Sequence, residues 1–110
     1  MVVDNMDYRD VIAGMRDIGL PSTYNDFEEA VDLPYTVITS GDNGSLMADN
    51  INYKDIAGHK LELYTADKHP PTEKMVQDKL KELGIAYQKL GPIPIESENM
   101  YQTIYEFQLI

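Results

Sequence analysis

Residues 101–109 read YQTIYEFQL, and their strict alternation decides the fold class. The odd positions carry large or β-branched side chains, and the positions between them are mostly polar. A period of two is typical of a β-strand with one buried face and one largely wet face. The pattern therefore predicts a strand whose buried side is formed by Tyr101, Thr103, Tyr105, Phe107 and Leu109.

The rest of the chain divides into helical and extended stretches around this strand. Apolar residues at helical spacing predict helices over residues 7–18 and 70–83, the second with Met75, Val76, Leu80 and Leu83 on its apolar face. Extended stretches are predicted over residues 22–27, 34–40, 58–65 and 85–90, the last broken by GPIP at 91–94, and a further strand containing Tyr53 is predicted after the segment 41–50. This order predicts a single α+β domain over residues 1–110: a largely antiparallel sheet of about five strands, with two helices packed on one face.

The segment 41–50, GDNGSLMADN, follows the strand 34–40. A tight Asn-Gly hairpin would mix the buried and exposed faces of its two strands, which sheets resist. Opposing Val37 with Ile51, and Tyr35 with Tyr53, matches the apolar faces better. We therefore expect an irregular or wide connection here.

The charge excludes several classes of partner. Nine basic residues face nineteen acidic ones, giving a net charge of −10, and the basic residues form no stripe. We expect no tight nucleic-acid binding and no membrane binding, because both depend on clustered positive charge. The chain has no cysteine, and its start, MVVDNMDYRD, has no basic region before an apolar stretch, so we expect no signal peptide and an intracellular protein.

A search for catalytic or metal-binding motifs gives a negative result. His59 and His69 have no second histidine or carboxylate at metal-ligand spacing. The segment 41–49 lacks the alternating oxygen ligands and the terminal Glu of a calcium loop, and it is not followed by the GK[ST] of a phosphate loop. We expect no cofactor, no metal and no enzymatic activity.

Tyrosine is abundant, with eight residues against two phenylalanines and no tryptophan. Tyrosine is common both in half-buried cores and at protein interfaces, because it combines a large ring with a polar tip. Leu46 and Met47, in the middle of the polar segment 41–50, would be costly to leave in water; they either order against a neighbouring subunit or pack into the chain's own core. The candidate interface residues are Leu46, Met47, Tyr53, Tyr101 and Tyr105.

Three stretches resemble a known family: PYTVITSGDNGSLMADNINY (34–53), LELYTADKHPPTEKMVQDKL (61–80) and IPIESENMYQTIYEFQLI (93–110). Together they are similar to the small tail-terminator, or tail-completion, proteins that join head to tail in long-tailed phages and prophages of Gram-positive bacteria. The resemblance implies a non-enzymatic α+β subunit that forms a ring, a hexamer in the assembled virion. Such a ring caps the tail-tube protein, ends polymerisation and docks to the head connector or stopper protein.

The same resemblance implies a location in the host cytoplasm during assembly and afterwards in the virion neck. It also implies that the last strand completes the sheet with one face and packs against the next subunit with the other. The alternative is that this strand is only a core strand of a monomer. Two other functions stay open: a small-molecule-binding domain or enzyme with a pocket on its sheet, and an acidic protein-binding or inhibitory module that recognises a basic partner.

Overall fold

The computed structural model describes residues 6–40 and 57–109 of the protein. Leu46, Met47 and Tyr53 lie outside the described residues. In chain order the described elements are α1 (Tyr8–Asp17), β1 (Ser22–Tyr24), β2 (Tyr35–Ser40), β3 (Ala57–Thr65), α2 (Pro70–Glu82), β4 (Tyr87–Ile95), a single 3₁₀ turn (Glu96–Glu98) and β5 (Met100–Leu109).

The five strands form one sheet in the order β1-β2-β3-β5-β4. β1 runs parallel to β2, and all other neighbours are antiparallel. The predicted α+β class, with a largely antiparallel five-stranded sheet and two helices, is confirmed.

The strand that decides the fold class, β5, lies inside the sheet. It pairs with β3 along one edge and with β4 along the other. Its odd-numbered side packs into the core, as the alternation predicts, with Tyr105 opposite Leu61 and Thr103 opposite Leu63. Because both edges of β5 are paired within the subunit, its backbone is not free to extend the sheet into a neighbouring copy.

The two helices cover the face of the sheet to which the odd residues of β5 point. Asp7 caps the start of α1: its carboxylate accepts a hydrogen bond from the Arg9 backbone N–H at 2.8 Å. The helices bury Val11 and Met15 from α1, and Val76 and Leu80 from α2, against a core completed by Leu20, Ile38, Leu61, Leu63, Ile85, Tyr105, Phe107 and Leu109. Met75, predicted on the apolar face of the second helix, is instead 41% exposed.

A buried lysine joins the two helices. The ammonium of Lys79 on α2 contacts Glu82 at 2.9 Å and Asp17, at the end of α1, at 3.0 Å. Its hydrogen bonds to Glu82 and then to Asp17 raise the pKa of Lys79, so the lysine stays charged. A Cβ at Gly14 on α1 would lie 3.3 Å from Lys79 Cγ, so a glycine at this position lets the helices approach closely.

Two expectations about strand partners and limits were wrong. Val37 on β2 lies between Thr23 of β1 and Glu62 of β3, and Tyr35 lies opposite Tyr64, so described strands already pair with both edges of β2. The expected partners Ile51 and Tyr53 lie outside the described residues. The GPIP segment does not break its strand, because β4 continues to Ile95 with a register shift between Leu90 and Ile93. The conformation of the bulge requires glycine: Gly91 has φ of 96°, and a Cβ there would meet the Gln102 carbonyl oxygen at 2.8 Å.

Candidate functional site

The face of the sheet opposite the helices is the candidate interaction surface. Register places on it the even-numbered residues of β5 together with their partners on β3 and β4. We call this the open face. It carries Tyr35 and Val37 from β2, Glu62 and Tyr64 from β3, Gln102 and Ile104 from β5, and Leu90 and Ile93 from β4.

One part of the open face is apolar and exposed. Leu90 pairs with Ile104, Ile95 pairs with Met100, and Ile93 lies between them on the outer strand β4. Leu90 is 39% exposed and Ile93 is 41% exposed, and the other three side chains are half-buried. We call Leu90, Ile93, Ile95, Met100 and Ile104 the aliphatic stripe.

The backbone of β4 limits how another chain could join this edge of the sheet. Pro92 and Pro94 have no N–H to donate, and the bulge at Gly91 twists the strand. Partners are therefore expected to pack onto the side chains of the stripe and not to continue the ladder of backbone hydrogen bonds.

A second part of the open face is a hydrogen-bonded group of polar and aromatic side chains. The Gln102 amide donates to the Tyr64 hydroxyl at 2.9 Å, and that hydroxyl donates to the Glu62 carboxylate at 2.8 Å. Burial, followed by the hydrogen bond to Glu62 and by the charge of that carboxylate, raises the pKa of Tyr64 to about 12. Tyr64 is therefore a neutral donor that holds Glu62 in one orientation at neutral pH.

Two members of this group, Glu62 and Tyr64, form the floor of a pocket, which Gln102 does not line. The segment 25–31, between β1 and β2, lies beside Tyr35, Val37, Glu62 and Tyr64, and with them it lines an open cavity of about 370 Å³. The Phe27 ring meets the Tyr35 ring edge-on, with centroids 5.5 Å apart, and the Tyr35 and Tyr64 rings lie 5.1 Å apart. The pocket thus has aromatic walls and opens to solvent on one side.

Charged side chains surround the pocket, and all of them are acidic. Among the described residues that line it, four carry carboxylates and none is basic; the acidic ones are Asp26, Glu28, Glu29 and Glu62. Such a lining creates a negative potential that attracts cations and repels anions.

The predicted interface residues that the structure describes do not lie on the open face. Tyr105 is fully buried beneath α2, where its hydroxyl donates to Gln77 at 3.1 Å and its ring meets Tyr87 edge-on. Burial, with the nearby charges of Glu73 and Tyr87, raises the pKa of Tyr105. The expectation for Tyr105 is therefore corrected: with no exposed surface in the folded subunit, it is a neutral core residue.

Tyr101 is half-buried at the start of β5, on the same side as Tyr105, and the Lys68 ammonium lies 5.9 Å from the centre of its ring. The structure does not bring Tyr101 together with the aliphatic stripe or with the pocket. Two residues that shape the open face, Tyr35 and Tyr64, lie in predicted strands but are not among the predicted interface residues. The alternation of β3 places Glu62 and Tyr64 on one face, but the pairing that brings Tyr35 beside them is not visible in the sequence.

Comparisons with known proteins leave the family open. No protein-family model matches the chain, and no curated protein matches it. Within residues 6–40 and 57–109, no group of three or more metal-ligating side chains could hold a metal ion, and no helix is long and apolar enough to cross a membrane.

Proposed function

We propose that the protein is a structural subunit of phage assembly: a tail terminator that forms a ring on the tail tube, ends its polymerisation and joins tail to head. The proposal starts from the resemblance of residues 34–53, 61–80 and 93–110 to that family. The α+β fold, with two helices on one side of a sheet, is compatible with it.

The observation that carries the proposal is the aliphatic stripe. Its side chains Leu90, Ile93 and Ile95 follow one another along β4, the outer strand of the sheet, and Ile104 and Met100 flank Gln102 beside them on β5. They lie in a chain with a net charge of −10. Contiguous apolar surface on an otherwise charged protein is typical of an interface, because association removes it from water. A subunit that acts only in an assembly needs such a surface.

The proposed partners are further copies of the chain, the tail-tube protein and the head connector or stopper protein. The ring, a hexamer in the virion, would leave a bore through which DNA passes. Acidic subunits favour this role, because a negative bore does not retain the phosphate backbone. The proposed location is the host cytoplasm during assembly and the virion neck afterwards.

The test is tube growth in the presence of the purified protein. Tail-tube protein is allowed to polymerise with and without an excess of the chain, and tube lengths are measured by electron microscopy. The wild-type chain is expected to shorten the tubes and to be found at their ends. Tubes that lengthen unchecked, with no complex formed, would refute the terminator function.

Variants connect this assay to the stripe. Leu90→Ser with Ile93→Ser is expected to abolish capping while the subunit stays folded, because both side chains are partly exposed. Met75→Ser is the matched control, since Met75 is equally exposed, at 41%, but lies on α2, away from the stripe. Equal capping by the double variant and the control would show that the stripe is not the interface.

A further inference from the structure

The pocket formed by the segment 25–31 and the open face has features that the tail-terminator proposal does not use. Its volume of about 370 Å³ lies at the small end of ligand pockets, which run from roughly 300 to 1,000 Å³. It therefore suits one long side chain better than a large organic molecule.

The walls of the pocket favour a flat or extended group with an apolar body. Tyr35 and Tyr64 present their rings 5.1 Å apart at a tilt of 31°, and Phe27 stands nearly perpendicular to Tyr35 at 88°. The faces of aromatic rings carry a partial negative charge that attracts cations within about 6 Å.

The acidic groups select the charge of the occupant. Glu62 lies at the floor and is held by Tyr64, which is in turn held by Gln102. Asp26, Glu28 and Glu29 come from the segment 25–31, so carboxylates approach the cavity from both of its sides. Four carboxylates and no basic group among the described lining residues favour a cationic occupant over an anionic or purely apolar one.

We propose that this pocket binds an arginine side chain presented by a basic segment of a partner protein. The guanidinium can stack on a tyrosine ring while its N–H groups pair with the Glu62 carboxylate, which a compact ammonium cannot do as well. The segment 25–31 then acts as the outer wall that surrounds the aliphatic part of the side chain. This inference does not depend on the tail-terminator proposal, because it concerns a different part of the open face.

The test uses the whole chain and two short blocked peptides. One is Gly-Arg-Gly, and the other is the same tripeptide with citrulline, which keeps the shape of arginine and removes its charge. Binding is followed by NMR through the backbone amides of Val37, Glu62 and Tyr64. A single side chain is expected to bind with a dissociation constant on the order of 1 mM, and the citrulline peptide at least about tenfold more weakly.

Substitutions distinguish the pocket from the general acidity of the protein. Glu62→Gln removes the charge at the floor with little change of shape, and it is expected to weaken binding by about fivefold or more. Tyr35→Leu removes one ring and is expected to weaken binding by about threefold. Glu106→Gln is the matched control, because Glu106 lies on the same face at β5 but does not line the pocket; its effect should stay within about twofold, since solvent screens distant charges.

Two results would overturn the inference. The first is the absence of amide shifts at the pocket at peptide concentrations well above the expected dissociation constant. The second is equal weakening by Glu62→Gln and Glu106→Gln, which would mean that the peptide responds only to the net charge of −10. Glu29→Gln provides a second variant of the pocket lining, at an exposed position on the segment 25–31.

Discussion

The two faces of the sheet are formed by alternate residues of the same strands, but they differ in how deeply their side chains are buried. On the helix-covered face, Leu61, Leu63 and Tyr105 are completely buried. The neighbouring residues in the same strands point to the open face. These residues, Glu62, Tyr64 and Ile104, are all half-buried. The helix-covered face therefore holds most of the buried apolar side chains that stabilise the fold, and the open face is the surface on which both proposed contacts lie.

The open face is itself divided. Near β2 the segment 25–31 covers it, and Val37 is only 6% exposed. Near β4 the described residues leave it bare, and Leu90 is 39% exposed. The covered part has aromatic and acidic side chains, and the bare part is aliphatic. This division assigns the two proposed contacts to different regions: a charged side chain in the pocket, and a broad apolar partner on the stripe.

The largest expected difference is between two leucines on opposite faces. Leu63→Ala on β3 is expected to lower the free energy of unfolding by about 2 to 5 kcal/mol, because it leaves a cavity beneath the helices. Leu90→Ala on β4 is expected to cost less than about 1 kcal/mol, because water already reaches that side chain. Urea denaturation of both variants measures the difference. Similar losses would mean that the open face is as important for folding as the covered face.

A smaller effect tests the cover formed by the segment 25–31. Val37→Ala should lower the free energy of unfolding by about 1 to 2 kcal/mol, because Val37 is buried although it lies on the open face. Thr39→Ala is the control on the same strand and the same face, outside the pocket, and should cost less. If both substitutions have the same effect in thermal melts, the segment does not shield Val37.

The next effect concerns Tyr105 as a core residue. Tyr105→Phe should lower the free energy of unfolding by about 1 kcal/mol, because it removes the hydrogen bond to Gln77 and leaves that amide without its partner. Tyr101→Phe, on the same side of β5 but half-exposed, should stay within about 0.5 kcal/mol, because water replaces its contacts. Tube capping by Tyr105→Phe should match that of the wild type. Impaired capping by a stably folded Tyr105→Phe would restore Tyr105 as an interface residue.

The last effect is confined to alkaline pH and is a dependence of stability on Tyr64. In the unfolded chain a tyrosine has a pKa of about 10, whereas in the fold the pKa of Tyr64 is about 12. Between these values the Tyr64 hydroxyl is deprotonated in the unfolded chain but not in the fold. The contribution of Tyr64 to the free energy of unfolding is therefore complete below about pH 10 and is lost as the pH rises toward 12. Tyr64→Phe should make this fall shallower.

Glu62→Gln separates the causes of that shift. The variant should lower the pKa of Tyr64 only part of the way toward 10, because burial, its largest cause, remains. Absorbance titration of the phenolate band and denaturation between pH 9 and 12 provide the measurements. If the free energy of unfolding falls equally steeply with pH in Tyr64→Phe and in the wild type, the alkaline loss of stability does not come from Tyr64.

Sequence reasoning succeeded where the signal is local. The period of two over residues 101–109 correctly predicts which side of β5 is buried, and the helical spacing predicts α1 and α2 to within a residue at each end. It failed at Met75, which was assigned to the apolar face of the second helix but is exposed. It also failed at GPIP, because β4 continues through this segment by way of a bulge. It also failed at Tyr105, because a tyrosine in a strand is equally compatible with a core and with an interface.

The amino-acid sequence alone determined the α+β class, the alternation of each strand and the acidic surface, because each follows from side chains that are neighbours along the chain. Only the tertiary structure decided that Tyr35 lies opposite Tyr64, that β5 lies between β3 and β4, and that the segment 25–31 lines an open pocket together with Glu62. These features depend on contacts between residues far apart in sequence. Which distant strands pair is set by the free energy of the whole packed sheet, and no single stretch of the chain encodes it.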